Sequence, residues 1–199
     1  SEYFKRNYTD INAKWFGCKG DGTTDDCVNL NNAIQTAHIL NEKLFIPKGI
    51  FQINTGITVD AAFQINGYGS TNFSIYGEEG TVIRTNQTGT SDHYLFQFFY
   101  TFSNLTISKI KFENTHGLTV NPTYAIFTVR GGGAGITNKD MIVEDCIFSG
   151  FNISVRLANG LRTKIRRNRF LAPNGHDNAS NSGFPAVHIS LSNNEFGEN

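Results

Sequence analysis

Between Cys27 and Ala37 the apolar residues Cys27, Leu30, Ala33, Ile34 and Ala37 recur every three or four positions, the spacing of one face of an α-helix. The pattern predicts a helix over about residues 25–40. Thr24 or Asp25 would cap it, and Asp25 and Asp26 would sit in its positively polarised first turn. From Lys43 the period changes. Short alternating runs (KLFIPKGIFQI, FQINGYG, FSIYGEEGTVIRT, YLFQFF) are broken by Gly and Asn, and Pro47-Lys48-Gly49 reads as a turn between two of them. No second helix of comparable quality follows.

One octet returns. LTISKIKF, MIVEDCIF, TKIRRNRF and ISLSNNEF end at Phe112, Phe148, Phe170 and Phe196, which are 36, 22 and 26 residues apart. A strand, a polar turn and a Phe, recurring at one coil plus variable loops, predict a β-solenoid, in which no coil buries its apolar side until another stacks on it. Phe112, Phe148 and Phe170 would then form an internal ladder, each burying about 1.5–3 kcal/mol of apolar surface. Asn168 would face an inner turn and satisfy backbone groups there. The run AVHISL overlaps the fourth repeat, so one of those two readings must fail; the fourth repeat is the weaker. A β-sandwich offers no reason for the octet to recur in register.

Composition narrows the function. Seventeen basic and seventeen acidic residues cancel, which leaves no net charge to draw the chain onto nucleic acid or anionic lipid. No apolar run is long enough to span a bilayer. Seventeen Phe against one Met and one Trp suit a repeated large core residue. The three cysteines, Cys18, Cys27 and Cys146, are too few for a disulfide scaffold and read as small buried thiols, as in a protein folded in a reducing cytosol. Asp21, Asp25 and Asp26 supply fewer alternating oxygens than a calcium loop needs, and no Lys follows the glycines as in a phosphate loop. No metal or cofactor is expected.

GCKGDGTTDDCVNLNNAI, followed by LFIPKGIFQI and FSIYGEEGTVI, resembles the N-terminal signature of the pectate-lyase-like, single-stranded right-handed parallel β-helix superfamily. The likeness runs from about residue 9 to 83, with Cys18 and Cys27 where small or hydroxyl residues are usual. It implies an all-β fold, a right-handed parallel β-helix with a short N-terminal capping α-helix. Residues 1–42 would form the strand, turn and capping helix, and 43–199 the coils of a solenoid that continues in a longer chain. The superfamily holds pectin lyases, polygalacturonases, epimerases and phage tailspikes, so the fold implies a long carbohydrate and the site must name the chemistry. The polygalacturonase motifs are absent in their required order, and KIRRNRF lacks the Pro of the usual pectate-lyase Arg motif. An Asn-, Ser- and Thr-rich β-helix with this cap is most similar to a phage tailspike or capsule depolymerase.

Alternate strand residues face outward, and equivalent positions of adjacent coils stack about 4.8 Å apart. Glu144 would therefore face Arg166 on the next coil, with Asp145 near Arg167 at the turn. Glu144 or Asp145 is then a candidate catalytic acid or base on a glycan groove, with Arg166 binding substrate. The same residues also read as a surface salt-bridge ladder. In the intervening sheet, Ala125, Phe127 and Val129 are expected inward and Thr128 and Arg130 outward, followed by Ser154 and Arg156, then His188 and Ser190. Arg130, Arg156 and His188 would form a cationic strip for the carboxylates of an acidic polysaccharide. The expected activity is binding and depolymerisation of a capsular or O-antigen polysaccharide by a homotrimeric virion tail protein, by hydrolysis before lyase chemistry. A non-catalytic receptor-binding spike and a secreted bacterial polysaccharide lyase are the alternatives.

Overall fold

A computed structural model of the chain describes residues 10–54, 61–66, 70–86, 93–99, 102–115, 123–128, 138–158, 160–171 and 187–192. The described strands form four parallel sheets. The first contains Asp10–Asn12, Lys43–Ile46, Ser74–Gly77, Thr106–Ser108, Ile142–Glu144 and Lys164–Arg166. The second contains Asp21–Asp25, Gly49–Ile53, Thr81–Thr85, Lys111–Asn114, Ile147–Ser149 and Arg169–Leu171. Ala61–Asn66, His93–Phe99, Thr123–Thr128, Ile153–Ala158 and Val187–Ser192 make the third, and the two-residue strands Ser70–Thr71, Phe102–Ser103, Asn138–Lys139 and Gly160–Leu161 a narrow fourth. The chain visits them in the order first, second, third, fourth, then starts the next coil. This is the right-handed parallel β-helix expected from the sequence.

Helix α1, Cys27–Leu40, leaves the second sheet and returns to the first. Its inner face is the one the spacing predicts: Cys27, Leu30, Ala33, Ile34 and Ala37 are all buried. His38 reaches the coil interior, with its ring 5.3 Å from Phe73 and 5.7 Å from Phe102. The entry turn differs in detail from expectation. Asp26 occupies the cap position without a side-chain cap bond, because its buried carboxylate turns back to accept from Lys19 N (2.6 Å) and Gly20 N (2.8 Å). Asp25 Oδ1 accepts instead from Cys27 N at 3.0 Å and from Asn54 N at 3.2 Å, tying the helix start to the next coil. Asn41 closes the helix in the left-handed conformation at φ 55°.

Phe112, Phe148 and Phe170 are register partners on the second sheet, and their rings stack at 5.1 and 5.3 Å, each pair 11° from parallel. The ladder continues through Ile83 to Phe51, one residue per coil. Twenty-two residues is thus the bare coil, and the 36-residue step carries its surplus between strands, at 116–122 and 129–137. Asn168 donates to Val143 O at 2.8 Å and accepts from Cys146 N at 2.9 Å, so it bridges the inner corner of the coil before it. The fourth octet gives way to AVHISL: Val187–Ser192 pairs with Ile153–Ala158 in the third sheet, and Phe196 lies outside the described residues.

The third sheet does not keep a strict alternation. Leu95 and Phe96 are both in the core, as are Ala125 and Ile126, and the ladder skips Ala125 between Tyr124 and Ile126. Two consecutive residues of these two strands face inward there, which turns a corner within the strand and shifts the phase. Ala125 is inward as expected. Thr128 and Ser154, expected outward, are buried for this reason.

Candidate functional site

Where the first sheet turns into the second, the register builds an outer row along the solenoid axis: Phe45, Tyr76, Ser108, Glu144 and Arg166. Beside it the turn residues Lys109, Asp145 and Arg167 stack as a column, each left-handed at φ 58°, 54° and 54°. Glu144 Oε2 accepts from Arg166 Nε at 2.7 Å and from Arg167 Nη2 at 2.8 Å. Asp145 takes both Arg167 nitrogens, at 2.7 and 2.9 Å. The hydrogen bonds from Arg167 hold the Asp145 carboxyl below its usual range, and the same bonds raise the guanidinium. At the other end of the row the Tyr76 hydroxyl donates to Asp10, and its ring lies 5.3 Å from Phe45. Burial and that bond push the Tyr76 phenol up to about 12.

A groove of about 610 Å³ opens along this corner, lined by Gly77–Val82, Lys109, Ile110, Lys111, Asp145 and Ile147. Its volume suits a ligand of a few sugar rings. The groove arises because the turn Glu78-Glu79-Gly80 is one residue longer than the turn 47–48 of the coil before it and, counted between register partners, 77–81 is three residues longer than the turn 109–110 of the coil after it. Gly77 keeps the corners close: a Cβ there would lie 2.4 Å from Lys109 O. Within it Lys111 Nζ pairs with Glu113 Oε1 at 2.5 Å, while Arg84 takes the other oxygen at 2.5 Å. Burial alone would raise the Glu113 carboxyl, but these two bonds outweigh it and hold it low. Glu78, Glu79, Lys109 and Lys111 carry charge into the groove and were not singled out from sequence. The signal was present in YGEEGT, as a turn one residue too long.

Of the residues singled out, Glu144, Asp145 and Arg166 come together at this corner. Arg156 lies elsewhere, in the third-sheet row of Phe127 and Ser190. Its Nη1 is 3.4 Å from the Tyr124 hydroxyl, and Tyr124 stacks on Tyr94 at 4.8 Å. The backbone of His188 falls between Val187 and Ile189, hence in the row of Ser154 and not in that of Arg156. Arg130 lies outside the described residues. Among the described residues no cluster of three or more His, Cys, Asp or Glu side chains is placed to hold a metal ion. No helix there is long and apolar enough to cross a membrane.

Residues 10–107 match the family described as rhamnogalacturonase A/epimerase, pectate lyase-like. That segment is a pectate-lyase-like β-helix domain. Among solved structures, the chain is similar to the A-module of mannuronan C-5 epimerase AlgE6 from Azotobacter vinelandii. That match has a TM-score of 0.63 and 19% identity, and covers 93% of this chain and 55% of that one. The AlgE4 A-module of the same organism matches with a TM-score of 0.54 and 15% identity over 92% of this chain and 50% of that one. At such identities the likeness is one of fold. A Penicillium expansum protein described as the non-secreted LysM effector LysM19 is 40% identical over 57 residues, which is 29% of this chain and 4% of that protein. The chain therefore spans about half of the two modules and a small fraction of the LysM effector.

Proposed function

We propose that this β-helix binds a bacterial surface polysaccharide, capsular or O-antigen, as part of a homotrimeric tailspike on a virion, and depolymerises it. The observation that carries the reading is the corner groove, where Glu78, Glu79 and Asp145 meet Lys109 and Lys111 beside the Phe45–Tyr76 aromatic pair. It runs along the axis of a solenoid whose superfamily fold presents long grooved surfaces, and a long polymer fits such a surface better than a compact ligand does. Asp145, ion-paired on both oxygens, stays charged. It therefore suits a base or an acceptor of sugar hydroxyls, while proton donation falls to Glu78 or Glu79 across the groove. Glu144 and Arg166 position the chain from the adjoining row, and Arg156 offers its acidic groups a separate contact on the third sheet.

The test is incubation of the protein with purified capsular and O-antigen polysaccharides. New reducing ends alone indicate hydrolysis, and reducing ends with absorbance of an unsaturated uronate indicate a lyase. Retention of polymer without cleavage leaves a receptor-binding spike. No retention of any polysaccharide would overturn the reading.

A further inference from the structure

Helix α1 lies across the end of the solenoid, against the strands Asp10–Asn12, Lys43–Ile46 and Ala61–Asn66. Its sequence, CVNLNNAIQTAHIL, contains no Asp, Glu, Lys or Arg. The outer face of a surface helix ordinarily carries charge, and charge is depleted where one protein covers another. On this helix Ile39 is 77% exposed, Val28 60% and Leu40 58%, and Trp15 of the neighbouring short helix Ala13–Phe16 is 44% exposed. Of the large apolar side chains exposed among the described residues, only Leu171 lies elsewhere.

Val28, Asn32, Gln35 and Ile39 are spaced by four, three and four residues, so they share one strip along about 17 Å of helix. The strip reads the same from both ends. Turned about a two-fold axis through its middle, Val28 meets Ile39 of a second copy and Asn32 meets Gln35, and each contact occurs twice. The amides at the centre are complementary. Gln35 Nε2 donates to Gln64 O at 2.8 Å and reaches Asn31 Oδ1 at 3.5 Å, which commits its amino group and leaves Oε1 to accept. Asn32 is exposed and has an amino group to donate. The antiparallel arrangement also sets each helix start beside the other helix's end, where the partial charges attract. We infer that two copies of this chain join end to end through an antiparallel pair of α1 helices. The contact goes beyond the glycan-binding reading and leaves the outer faces of all four sheets open, so it joins two single chains or two trimers alike. Such a pair buries less than the roughly 1,200–2,000 Å² of a standard interface, so its dissociation constant is on the order of 10–100 µM.

Sedimentation velocity of the chain, over a concentration series that brackets this range, tests the pairing. The particle mass should double across the series. Val28→Glu and Ile39→Lys should each weaken the association by about tenfold or more, because every substitution enters the contact twice. The double variant sets opposite charges across both apolar layers and should regain association, most of all at low salt. Both positions are exposed, and unchanged far-UV circular dichroism verifies that the variants fold. A native particle of one chain or of three chains at every concentration overturns the pairing, and three chains would leave the tailspike reading standing. Doubling that neither single substitution weakens, or that the double variant does not regain, overturns it as well.

Discussion

Arg167 sits one coil above Asp145, each with a left-handed backbone at φ 54°, and its guanidinium holds both carboxylate oxygens. Two strained turns are thereby stacked with their charges matched, and the same device joins Arg162 to Asp140 on the neighbouring corner, at 2.7 and 2.6 Å. The Asp145 carboxyl is depressed by its bond to Arg167, so its stabilising effect is present above the unfolded value of 3.8 and is lost as pH falls through the folded value. Thermal melts of the protein and of Asp145→Asn should therefore differ at neutral pH and converge in acid. If Asp145 is the base, Asp145→Asn should also lower turnover of a cleaved polysaccharide by about 10²–10⁴-fold. Full activity in that variant would leave the pair a structural ladder only.

Phe148 lies between Phe112 and Phe170 with both ring faces covered. Replacing it with Ala removes a large buried side chain and two stacking contacts, and should cost about 3–5 kcal/mol by urea unfolding. Phe170 is only partly buried, so Phe170→Ala should cost less. Equal costs would show that the ladder is not a graded core.

The aromatic ladder was legible because one residue type repeats at one place in each coil, and such a repeat has few folds that can use it. The helix face was legible for the same kind of reason, since Cys27, Leu30, Ala33, Ile34 and Ala37 leave no other period. Thr128 and Ser154 were misplaced because the third sheet turns a corner inside its strands, and a count of two cannot register a bend. At the site, Glu144–Arg166 and Asp145–Arg167 followed directly from stacking the octets. The groove did not, because it depends on Glu78, Glu79 and Gly80 forming a turn longer than its neighbours, a comparison that needs the strand ends first.

Asp26 shows how the entry turn works. Its buried carboxylate satisfies two backbone amides, those of Lys19 and Gly20, and these hold the glycine turn against the start of the helix. Asp26→Ala removes the shared acceptor of both amides and leaves a cavity where a buried carboxylate sat, and should cost about 1–3 kcal/mol. Asp21, whose carboxylate accepts from Thr23 and Thr24 on the outward side of the strand Asp21–Asp25, is the control. Asp21→Ala should perturb stability less than Asp26→Ala, and the reverse order in chemical denaturation would place the anchor of the turn at Asp21.

Burial pushes the thiols of Cys18 and Cys146 up to about 12. Both are free and enclosed, and Cys146 Sγ donates to Glu144 O at 3.3 Å. A native thiol that keeps its proton is a poor nucleophile, so a disulfide reagent should leave both unreacted at mildly alkaline pH until the protein unfolds. The sign of the stability change follows from the same shift. The unfolded thiols titrate near 9 and the folded ones near 12, so between those values the folded state holds more protons and stability falls as pH rises. Their contribution is complete below pH 9 and gone above 12. The Cys18→Ser, Cys146→Ser double variant should lose this part of the alkaline decline, seen as a flatter plot of urea midpoint against pH. Rapid labelling of native protein, or an unchanged alkaline slope in the variant, would mean that the two thiols are open to water.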